Sequence, residues 1–467
     1  MFTYQKVTEQ NAAILRNYYI HCTYQLCEYS LGTKLMWEDE LHPEWAEAEG
    51  CLIVRNEFQG QKVYDFPVAG VDGDIDAALL SMEQDAFETG IPLCISIVPE
   101  CESVRLLKRY PFAHVYNIRT WDDYIYNTKD LASFTGKKYS GQRNHINKFL
   151  KVCPNAVFKE LDVEDFPAID RFFEEYKKEF SKEDIAKAAD ELAYSERMMK
   201  LSGRRWFCAG GLFDKDRLIA LGLGEKCGDT MIMHIEKALY SYEGVYPYFV
   251  KVFASHFGTD VEFVNREDDA ADRGLRTSKL QYHPAYLAQK YVFKPMNDLL
   301  EHVHVIPTLK TERLVLNEIQ KEDIPAYNKL VLDKERNRWW GYDDLGNLDK
   351  PYTETSFYDV TRTDWKKKNC INFAIRQNDT FIGEAVLYNF DFRGGAELGV
   401  RIDKTYAGHG YGTEAFQAVA DWALYTVHMR NIVAKCYHEN TASYKMLSSC
   451  MTKSGSDETF DYFRKEV

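Results

Sequence analysis

Residues 396–413 read Ala-Glu-Leu-Gly-Val-Arg-Ile-Asp-Lys-Thr-Tyr-Ala-Gly-His-Gly-Tyr-Gly-Thr, and this stretch decides the fold of the C-terminal third of the chain. Its first seven residues alternate, with Leu398, Val400 and Ile402 on one side, which predicts a β-strand. A glycine-rich turn follows from Gly408 to Thr413. The residues after the turn predict one apolar face of a helix, formed by Phe416, Val419, Ala420, Ala423, Leu424 and Val427.

A strand, a glycine-rich turn and a helix start together favour the binding of a pyrophosphate. Alternate glycines let backbone N–H groups converge without interference from Cβ atoms, and the helix dipole adds partial positive charge. The alternative is a loop that only turns the chain. For an isolated glycine pattern that alternative is the better choice, and the flanking strand and helix make the binding loop preferable here.

Composition sets the class of protein. A length of 467 residues predicts about three domains, and 45% hydrophobic with 28% charged residues is typical of folded globular protein. The net charge of −14 argues against a protein that coats nucleic acid, because neutralising phosphates needs a basic face.

The eleven cysteines are scattered, without CxxC pairs or Cys/His clusters at zinc spacing. This predicts reduced thiols and no metal site. The N-terminus has no apolar signal region, and no uncharged apolar run is long enough to span a bilayer. We therefore expect a cytoplasmic protein without integral membrane contact.

The chain divides into three units of similar order. Strand-like and helix-like segments alternate up to a basic island at 131–159, which has six basic residues and no acidic one. A second alternating unit follows, then a connector, then a third unit. We predict an α+β protein with units at 1–128, 129–296 and 305–467, each with a mixed central sheet flanked by helices.

The third unit resembles the GNAT superfamily, in its branch of ribosomal-protein N-terminal acetyltransferases. The resemblance rests on four motifs in order: Thr311-Glu-Arg-Leu314, Glu397-Leu-Gly-Val400, the loop with Thr413-Glu-Ala415, and Asn440-Thr-Ala-Ser443. It implies that acetyl-CoA is the acyl donor, with its pantetheine on the backbone near Val400 and Ile402. The resemblance assigns the pyrophosphate to the loop residues Gly408, His409, Gly410, Tyr411, Gly412 and Thr413.

Glu397 stands where this superfamily often has its general base, and the alternative is a surface ion pair. Asn440 and Ser443 are three residues apart, on one face of a helix start, where they could bind pantetheine or protonate the leaving thiolate. The alternative for Asn440 is a helix N-cap, which excludes neither role. Many superfamily members carry a tyrosine acid seven residues after that asparagine, and this chain has Leu447 there.

Three aromatic residues, Trp339, Trp340 and Tyr342, lie in the region that shapes the acceptor site in the superfamily. Together with Asp343 and Asp344 they would suit a cationic amine. A packed hinge between helices is an equally good interpretation.

The segment from about 19 to 294 resembles the C-terminal domain of phosphatidylglycerol lysyltransferases, in which two GNAT-like lobes transfer an aminoacyl group from tRNA to a lipid headgroup. The motifs that carry the resemblance are Tyr29-Ser-Leu-Gly-Thr-Lys34, Gly136-Lys-Lys-Tyr139, His234-Ile-Glu-Lys237, Asn265-Arg-Glu-Asp268 and Leu275-Arg276 with Lys279.

Within this segment we select five candidate substrate-site residues: His234, Glu236, Asn265, Arg276 and Lys279. The basic island could hold a tRNA acceptor stem or an anionic headgroup, or it could be a solvated helix face. The turn before the next helix has one glycine, Gly244, where a pyrophosphate loop has several.

These patterns leave three functions open. The first is acetyl transfer from acetyl-CoA to a primary amine of a small molecule or peptide, in the C-terminal unit. The second is aminoacyl transfer from aminoacyl-tRNA by the N-terminal units. The third is a non-catalytic binding module, which the absent tyrosine keeps in consideration.

Overall fold

The structure is a computed structural model that describes residues 2–58, 60–89, 91–179, 188–201, 206–348 and 351–467. It contains two compact units. Unit 1 comprises Met1–Leu106 and Val115–Lys294, and unit 2 comprises Leu107–His114 and Pro295–Val467.

Unit 1 is built on two sheets with helices on their flanks. The strands with their labels are β1 (Gln5–Lys6), β2 (Glu44–Ala48), β3 (Cys51–Phe58), β4 (Gln61–Asp65), β5 (Val68–Ala69), β6 (Ile95–Pro99), β7 (His114–Asn117), β8 (Asp123–Asn127), β9 (Val157–Glu160), β10 (Phe207–Asp214), β11 (Arg217–Cys227), β12 (Thr230–Ala238), β13 (Phe263–Asn265), β14 (Tyr286–Ala288) and β15 (Lys290–Lys294). The first sheet has the order β1-β2-β3-β4-β6-β15-β7 with β5 against β3, and the second has the order β14-β8-β13-β12-β11-β10-β9.

The helices of this part of the chain connect and cover the two sheets. They are α1 (Ala12–Tyr19), α2 (Leu31–Met36), α3 (Glu38–Leu41), α4 (Ile75–Thr89), α5 (Glu100–Arg109), α6 (Thr128–Ser133), α7 (Ser140–Val152), α8 (Phe166–Lys178), α9 (Ala189–Lys200), α10 (Val245–Phe257) and α11 (Arg273–Gln281).

Unit 2 is built on the third sheet. Its strands are β16 (Leu309–Lys310), β17 (Val315–Glu318), β18 (Cys370–Gln377), β19 (Thr380–Tyr388), β20 (Gly395–Ile402), β21 (Asn431–Tyr437), β22 (Thr452–Ser456) and β23 (Phe460–Glu466). Its helices are α12 (Ile324–Val331), α13 (Lys334–Asn337), α14 (Ser356–Lys366), α15 (Tyr411–Asp421) and α16 (Thr441–Cys450). The spatial order is β16-β17-β18-β19-β20-β21-β23-β22.

Each sheet has a parallel pair joined through a helix. The pairs are β4 with β6 across α4, β12 with β13 across α10, and β20 with β21 across α15. A parallel connection needs such a crossover, because the chain must return to the end from which the first strand began. The predicted α+β architecture of three GNAT-like sheet units is confirmed.

The core of unit 2 lies between the third sheet and helices α15 and α16. Phe416 and Val419 of α15 are buried, as the apolar stripe predicted, and they pack with Phe373 of β18. After Asp421 the helix widens into one π-helical turn, Trp422–Thr426. Burying each large apolar side chain contributes about 1.5–3 kcal/mol, so this face fixes α15 against the sheet.

The predicted unit boundaries at 128/129 and 296/305 stay predictions. The chain passes between the two sheets of unit 1 more than once, since β15 follows the strands of the second sheet in the chain and pairs with β6 of the first. The cysteines at all eleven positions are free thiols. Across the described residues, no helix combines the length and the apolar character that crossing a membrane requires.

Candidate functional site

An opening between strands β20 and β21 dominates unit 2. The two strands pair only over Gly395–Glu397 and Asn431–Val433, although β20 continues to Ile402. Beyond Glu397, β20 therefore has a strand neighbour only on the β19 side. Backbone N–H and C=O groups that face the opening need partners, so this edge can bind an extended, amide-containing ligand.

The glycine loop borders this opening. Gly408 and Gly410 have φ angles of 81° and 79°, in the left-handed region that favours glycine, and Gly410 caps the start of α15. A Cβ atom added at Gly408 would meet nothing within 4 Å, and one at Gly412 would lie 3.7 Å from Ile402. The loop thus presents an uncovered helix N-terminus beside the free edge of β20, which suits a bound anion.

The loop is held from behind by the Thr311-Glu-Arg-Leu314 motif. The Thr311 hydroxyl donates to the Glu414 carboxylate at 2.5 Å, and the Arg313 guanidinium donates to Glu414 at 2.7 Å and to the His409 carbonyl at 2.9 Å. Although burial acts to raise it, these hydrogen bonds hold the pKa of Glu414 below its usual value. This motif therefore fixes the loop conformation and leaves its outer side uncovered.

The side chains of His409 and Tyr411 serve the loop itself. Their rings stack at 5.7 Å, the His409 Nδ1 atom lies 3.0 Å from the Ala407 carbonyl, and Tyr411 is buried with its hydroxyl bound by Gln377. Only the backbone of these two residues is left to face an anion. Thr413, also predicted to bind the cofactor, lies half-buried in the first turn of α15.

Glu397 lies at the vertex of the opening. Its Oε1 accepts a hydrogen bond from the Tyr388 hydroxyl at 2.7 Å, its Oε2 accepts one from the Asn389 amide at 2.9 Å, and the Lys435 ammonium lies 3.8 Å from Oε1. Burial raises the pKa of Tyr388 well above its usual value, and Glu397 adds to this, so the phenol acts as a donor. A carboxylate held this way can accept a proton from an amine.

Two tryptophans lie over the sheet face that carries Glu397. The Arg401 guanidinium lies 4.4 Å from the centre of the Trp340 ring, and a Cβ atom at Gly399 would meet that ring at 3.2 Å. The Trp339 ring lies 5.3 Å from the Tyr437 ring of β21. One segment therefore spans both diverging strands, and Trp340 is committed to packing whereas Tyr342 is 56% exposed.

Arg401 anchors that segment from below. It is buried, pairs with Glu384, and donates to Asn337 at 2.7 Å and to Asp344 at 3.2 Å. These partners, with Glu384 first, overcome the effect of burial and raise the pKa of Arg401 further above its usual range. Breaking such a buried pair costs about 3–5 kcal/mol, so the position of the aromatic segment is strongly fixed.

Asn440 and Ser443 begin α16 immediately after β21. The Asn440 side chain accepts a hydrogen bond from the Ser443 backbone N–H at 3.2 Å, so Asn440 is an N-cap. Burial raises the pKa of the Cys436 thiol, and a hydrogen bond from Ser443 opposes this, which shows that the serine hydroxyl faces β21. Leu447 is buried and offers no acid.

The candidate residues of unit 1 have partners within the unit. His234 lies 3.0 Å from Glu267, Glu236 binds Arg266 through both oxygens, and Asn265 donates to Asp123 at 2.8 Å. The other two are on α11: Arg276 pairs with Asp269 at 2.8 Å, and Lys279 donates to the Arg266 carbonyl at 2.6 Å. The structure does not gather these five side chains around one open space.

The second sheet differs from the third at both equivalent positions. In the register of its parallel pair, Ile232 lies opposite Asn265, as Glu397 lies opposite Val433, so an apolar residue stands at the vertex. Gly244 caps α10 with a φ of 83°, but a Cβ atom there would lie 2.1 Å from the His145 carbonyl oxygen. Helix α7 therefore covers this glycine.

The loop before α10 also carries its own anion. The Glu179 carboxylate accepts hydrogen bonds from the backbone N–H groups of Tyr240 at 2.6 Å and Ser241 at 3.0 Å. A phosphate would need these same donors, so the protein already fills the position in the second sheet that unit 2 leaves uncovered.

The basic island is partly neutralised. Lys138 pairs with Asp130 at 3.2 Å, Lys148 pairs with Glu243 at 2.6 Å, and Arg143 donates to the Phe134 carbonyl at 2.5 Å. The exposed ammonium of Lys137 adds to the charge on this helix face. Its role as a contact surface for tRNA or lipid stays a prediction.

Within the described residues, one thiol and two carboxylates have ligand spacing for a metal ion: Cys27, Glu28 and Asp123. The Lys290 ammonium lies 2.8 Å from both carboxylates and 3.3 Å from the thiol. Despite complete burial, these partners raise the pKa of Lys290 well above its usual value. A protein cation thus occupies the position that a metal would take.

Sequence reasoning missed Tyr388, Asn389 and Lys435, the side chains that surround Glu397. The alternating strand pattern placed Glu397 on a face, but it gave no register between strands. Tyr388 reaches Glu397 because the two residues are cross-strand partners. A register that paired the β19 and β20 motifs would have found it.

These features define a GNAT-type acyltransferase domain in unit 2. A family model described as an acetyltransferase (GNAT) domain matches residues 313–451. A second model, described as phosphatidylglycerol lysyltransferase, C-terminal, matches residues 23–294. Because that match covers more than half of the chain, the protein belongs to the phosphatidylglycerol lysyltransferase C-terminal family, with a GNAT domain after the family segment.

Individual relatives agree with this division. The chain is 30% identical over 145 residues to an uncharacterized N-acetyltransferase of Bacillus subtilis (strain 168), covering 30% of this chain and 78% of the relative. It is 22% identical over 173 residues to an uncharacterized protein of Mycoplasmoides gallisepticum, covering 37% of this chain and 56% of that protein, about half its length.

A crystal structure of a conserved protein of unknown function from Bacteroides thetaiotaomicron has a similar fold. It is 24% identical with a TM-score of 0.57, covering 63% of this chain and 99% of that chain. The similarity extends the family fold over most of the chain.

The buried His234 predicts how stability depends on pH. Burial alone would lower its pKa, but Glu225 and Glu267 outweigh this and raise the pKa of His234 to about 9. The stabilisation by this ion pairing is complete below pH 6.5, the usual pKa, and is lost as pH rises through about 9. We expect the free energy of unfolding of the wild type to fall by about 3 kcal/mol over this range, relative to His234→Gln.

Denaturant unfolding at several pH values measures this difference. A matched substitution of an exposed histidine, His145→Gln, should leave the pH dependence unchanged. Parallel curves for the wild type and His234→Gln would contradict a charged His234.

Proposed function

We propose that unit 2 transfers an acetyl group from acetyl-CoA to a primary amine. The observation that carries this proposal is the opening between β20 and β21, which has Glu397 at its vertex and an uncovered glycine loop beside it. A carboxylate, a free strand edge and an anion-binding helix start are the groups that this reaction requires. The acceptor is a small molecule or a peptide amine.

The free edge of β20 at Val400 and Ile402 would bind the amide groups of pantetheine by its backbone. The N–H groups from Gly408 to Thr413 would hold the pyrophosphate. Asn440 and Ser443 begin the next helix, where the Ser443 hydroxyl is the group that could give a proton to the leaving thiolate. A cradle that a side chain at Gly412 would fill supports this fit.

Glu397 would take the proton that the amine must lose before it attacks the thioester. An ammonium has no lone pair, and an α-amine or a lysine is mostly protonated at pH 7. The hydrogen bonds from Tyr388 and Asn389 orient the carboxylate towards the sheet face over which Trp339 and Trp340 lie. Aromatic walls with the exposed Tyr342 suit a cationic acceptor.

The substitution Gly412→Asp tests the loop. An aspartate in the first turn of a helix is favourable for the fold, and the space around its Cβ is ordinary, with neighbours at 3.5 Å or more. The same charge would repel a pyrophosphate, so we expect acetyl-CoA to bind at least tenfold more weakly, as measured by isothermal titration calorimetry.

The matched control is Gly455→Asp, which adds the same charge on the exposed strand β22, where a Cβ meets nothing within 4 Å. This variant should bind acetyl-CoA like the wild type. Equal affinities for the two variants would remove the loop from the proposal.

The substitution Glu397→Gln tests the base. Glutamine keeps the size of the side chain and can still accept from Tyr388, but it cannot take a proton. We expect kcat for amine acetylation to fall roughly 10²–10³-fold while the acetyl-CoA dissociation constant stays unchanged. Release of free CoA thiol measures the rate, and Glu439→Gln, an exposed carboxylate after β21, is the control. Unchanged turnover would favour a binding module.

A second function is aminoacyl transfer by unit 1. It is favoured by the loop before α10, where helix α7 and Glu179 occupy the space that a CoA pyrophosphate would need. The donor would then be another activated acyl group, for which aminoacyl-tRNA is the choice that the family suggests. The acceptor would be a lipid headgroup or a water-soluble amine.

Incubating the full chain with radiolabelled lysyl-tRNA tests this second function. We expect transfer of label to phosphatidylglycerol vesicles or to an added amine, with a rate that falls as salt increases, because tRNA contacts are electrostatic. Hydrolysis of the ester at the rate seen without protein would contradict it.

A further inference from the structure

Lys435 lies beside the proposed base. It follows Val433 by two residues on β21, and Val433 is the strand partner of Glu397, so alternation places Lys435 on the same face. Its Nζ is 3.8 Å from the Glu397 Oε1 atom, and its side chain is 45% exposed. A primary amine of the protein therefore stands where an acceptor amine is expected.

The contact is looser than the other lysine pairs of this sheet. The Lys453 ammonium binds Asp461 at 2.6 Å and the Lys465 ammonium binds Asp421 at 2.6 Å, whereas Lys435 is beyond hydrogen-bond distance from Glu397. Among the ion pairs of the described residues, Lys435 is the amino group that approaches Glu397 within 4 Å. Four methylene groups let it move without a change in the backbone.

We propose that Lys435 is a self-acetylation site, modified by the active site of its own chain. This inference rests on the proposed function, because it needs acetyl-CoA bound in the opening beside Glu397. The Lys435 side chain belongs to the open arm of β21, and a thioester at the vertex would lie between the two strands that carry these residues.

The reaction balances without a further reagent. Glu397 takes a proton from the Lys435 ammonium, and the neutral amine attacks the thioester carbonyl. A C–N bond forms, the C–S bond breaks, and the CoA thiolate leaves and takes up a proton. The products are Nε-acetyl-Lys435 and CoA, and the positive charge beside Glu397 is lost.

The test is incubation of the full chain with isotopically labelled acetyl-CoA without an acceptor, followed by peptide mass spectrometry. We expect label on Lys435, approaching one acetyl group per chain, with an initial rate per chain that does not depend on protein concentration. Glu397→Gln should reduce that rate at least tenfold. Lys435→Arg keeps the charge and should carry no label at this position.

Lys445, an exposed lysine on α16, reports direct chemical acetylation in the same sample. Equal labelling of Lys435 in the wild type and Glu397→Gln would overturn the inference, since acetyl-CoA then reacts without the active site. A rate per chain that rises with concentration would overturn the reaction within one chain.

A parallel assay with a panel of added amines separates this inference from the proposed function. Turnover of an added amine without label on Lys435 would overturn self-acetylation alone. Neither turnover nor label would overturn both.

Discussion

The opening between β20 and β21 is the constraint on which unit 2 depends. Two parallel strands that pair over only three positions leave the rest of one strand edge without backbone partners, and such groups are costly unless something binds them. The sheet accepts this cost next to a helix start whose N–H groups are also uncovered. Both sets of unsatisfied groups face one region, and that coincidence is what distinguishes a binding site from a packing defect.

The comparison between the second and third sheets shows how one architecture gives different sites. Both have a parallel pair, a crossover helix and a left-handed glycine at its N-terminus, Gly244 or Gly410. The backbone of α7 and the Glu179 carboxylate fill the first position, and Arg313 supports the second from behind. The fold therefore supplies the same anion position twice, and local side chains decide whether a ligand can reach it.

The sequence predicted the features that depend on neighbouring residues. The strand at 396–402, the loop and the buried stripe of α15 follow from backbone preferences and periodicity, which are local. The surroundings of Glu397 are not local, because Tyr388 and Lys435 reach it through strand pairing. The charged motifs of unit 1 were harder still: Glu236 and Arg276 were selected as substrate residues, and their partners Arg266 and Asp269 come from a loop whose position depends on the whole sheet.

A single strand sets both the base and the acceptor wall of unit 2. On one face of β20, Glu397 reaches the vertex, Gly399 leaves room for the Trp340 ring, and Arg401 holds that ring from below. The three residues alternate, so they share a face and keep fixed spacing. Because Arg401 also binds Asn337 and Asp344, the aromatic segment moves with the strand that carries the base. The distance between the proton acceptor and the wall that would position the amine is therefore a property of β20 alone, whatever the acceptor is.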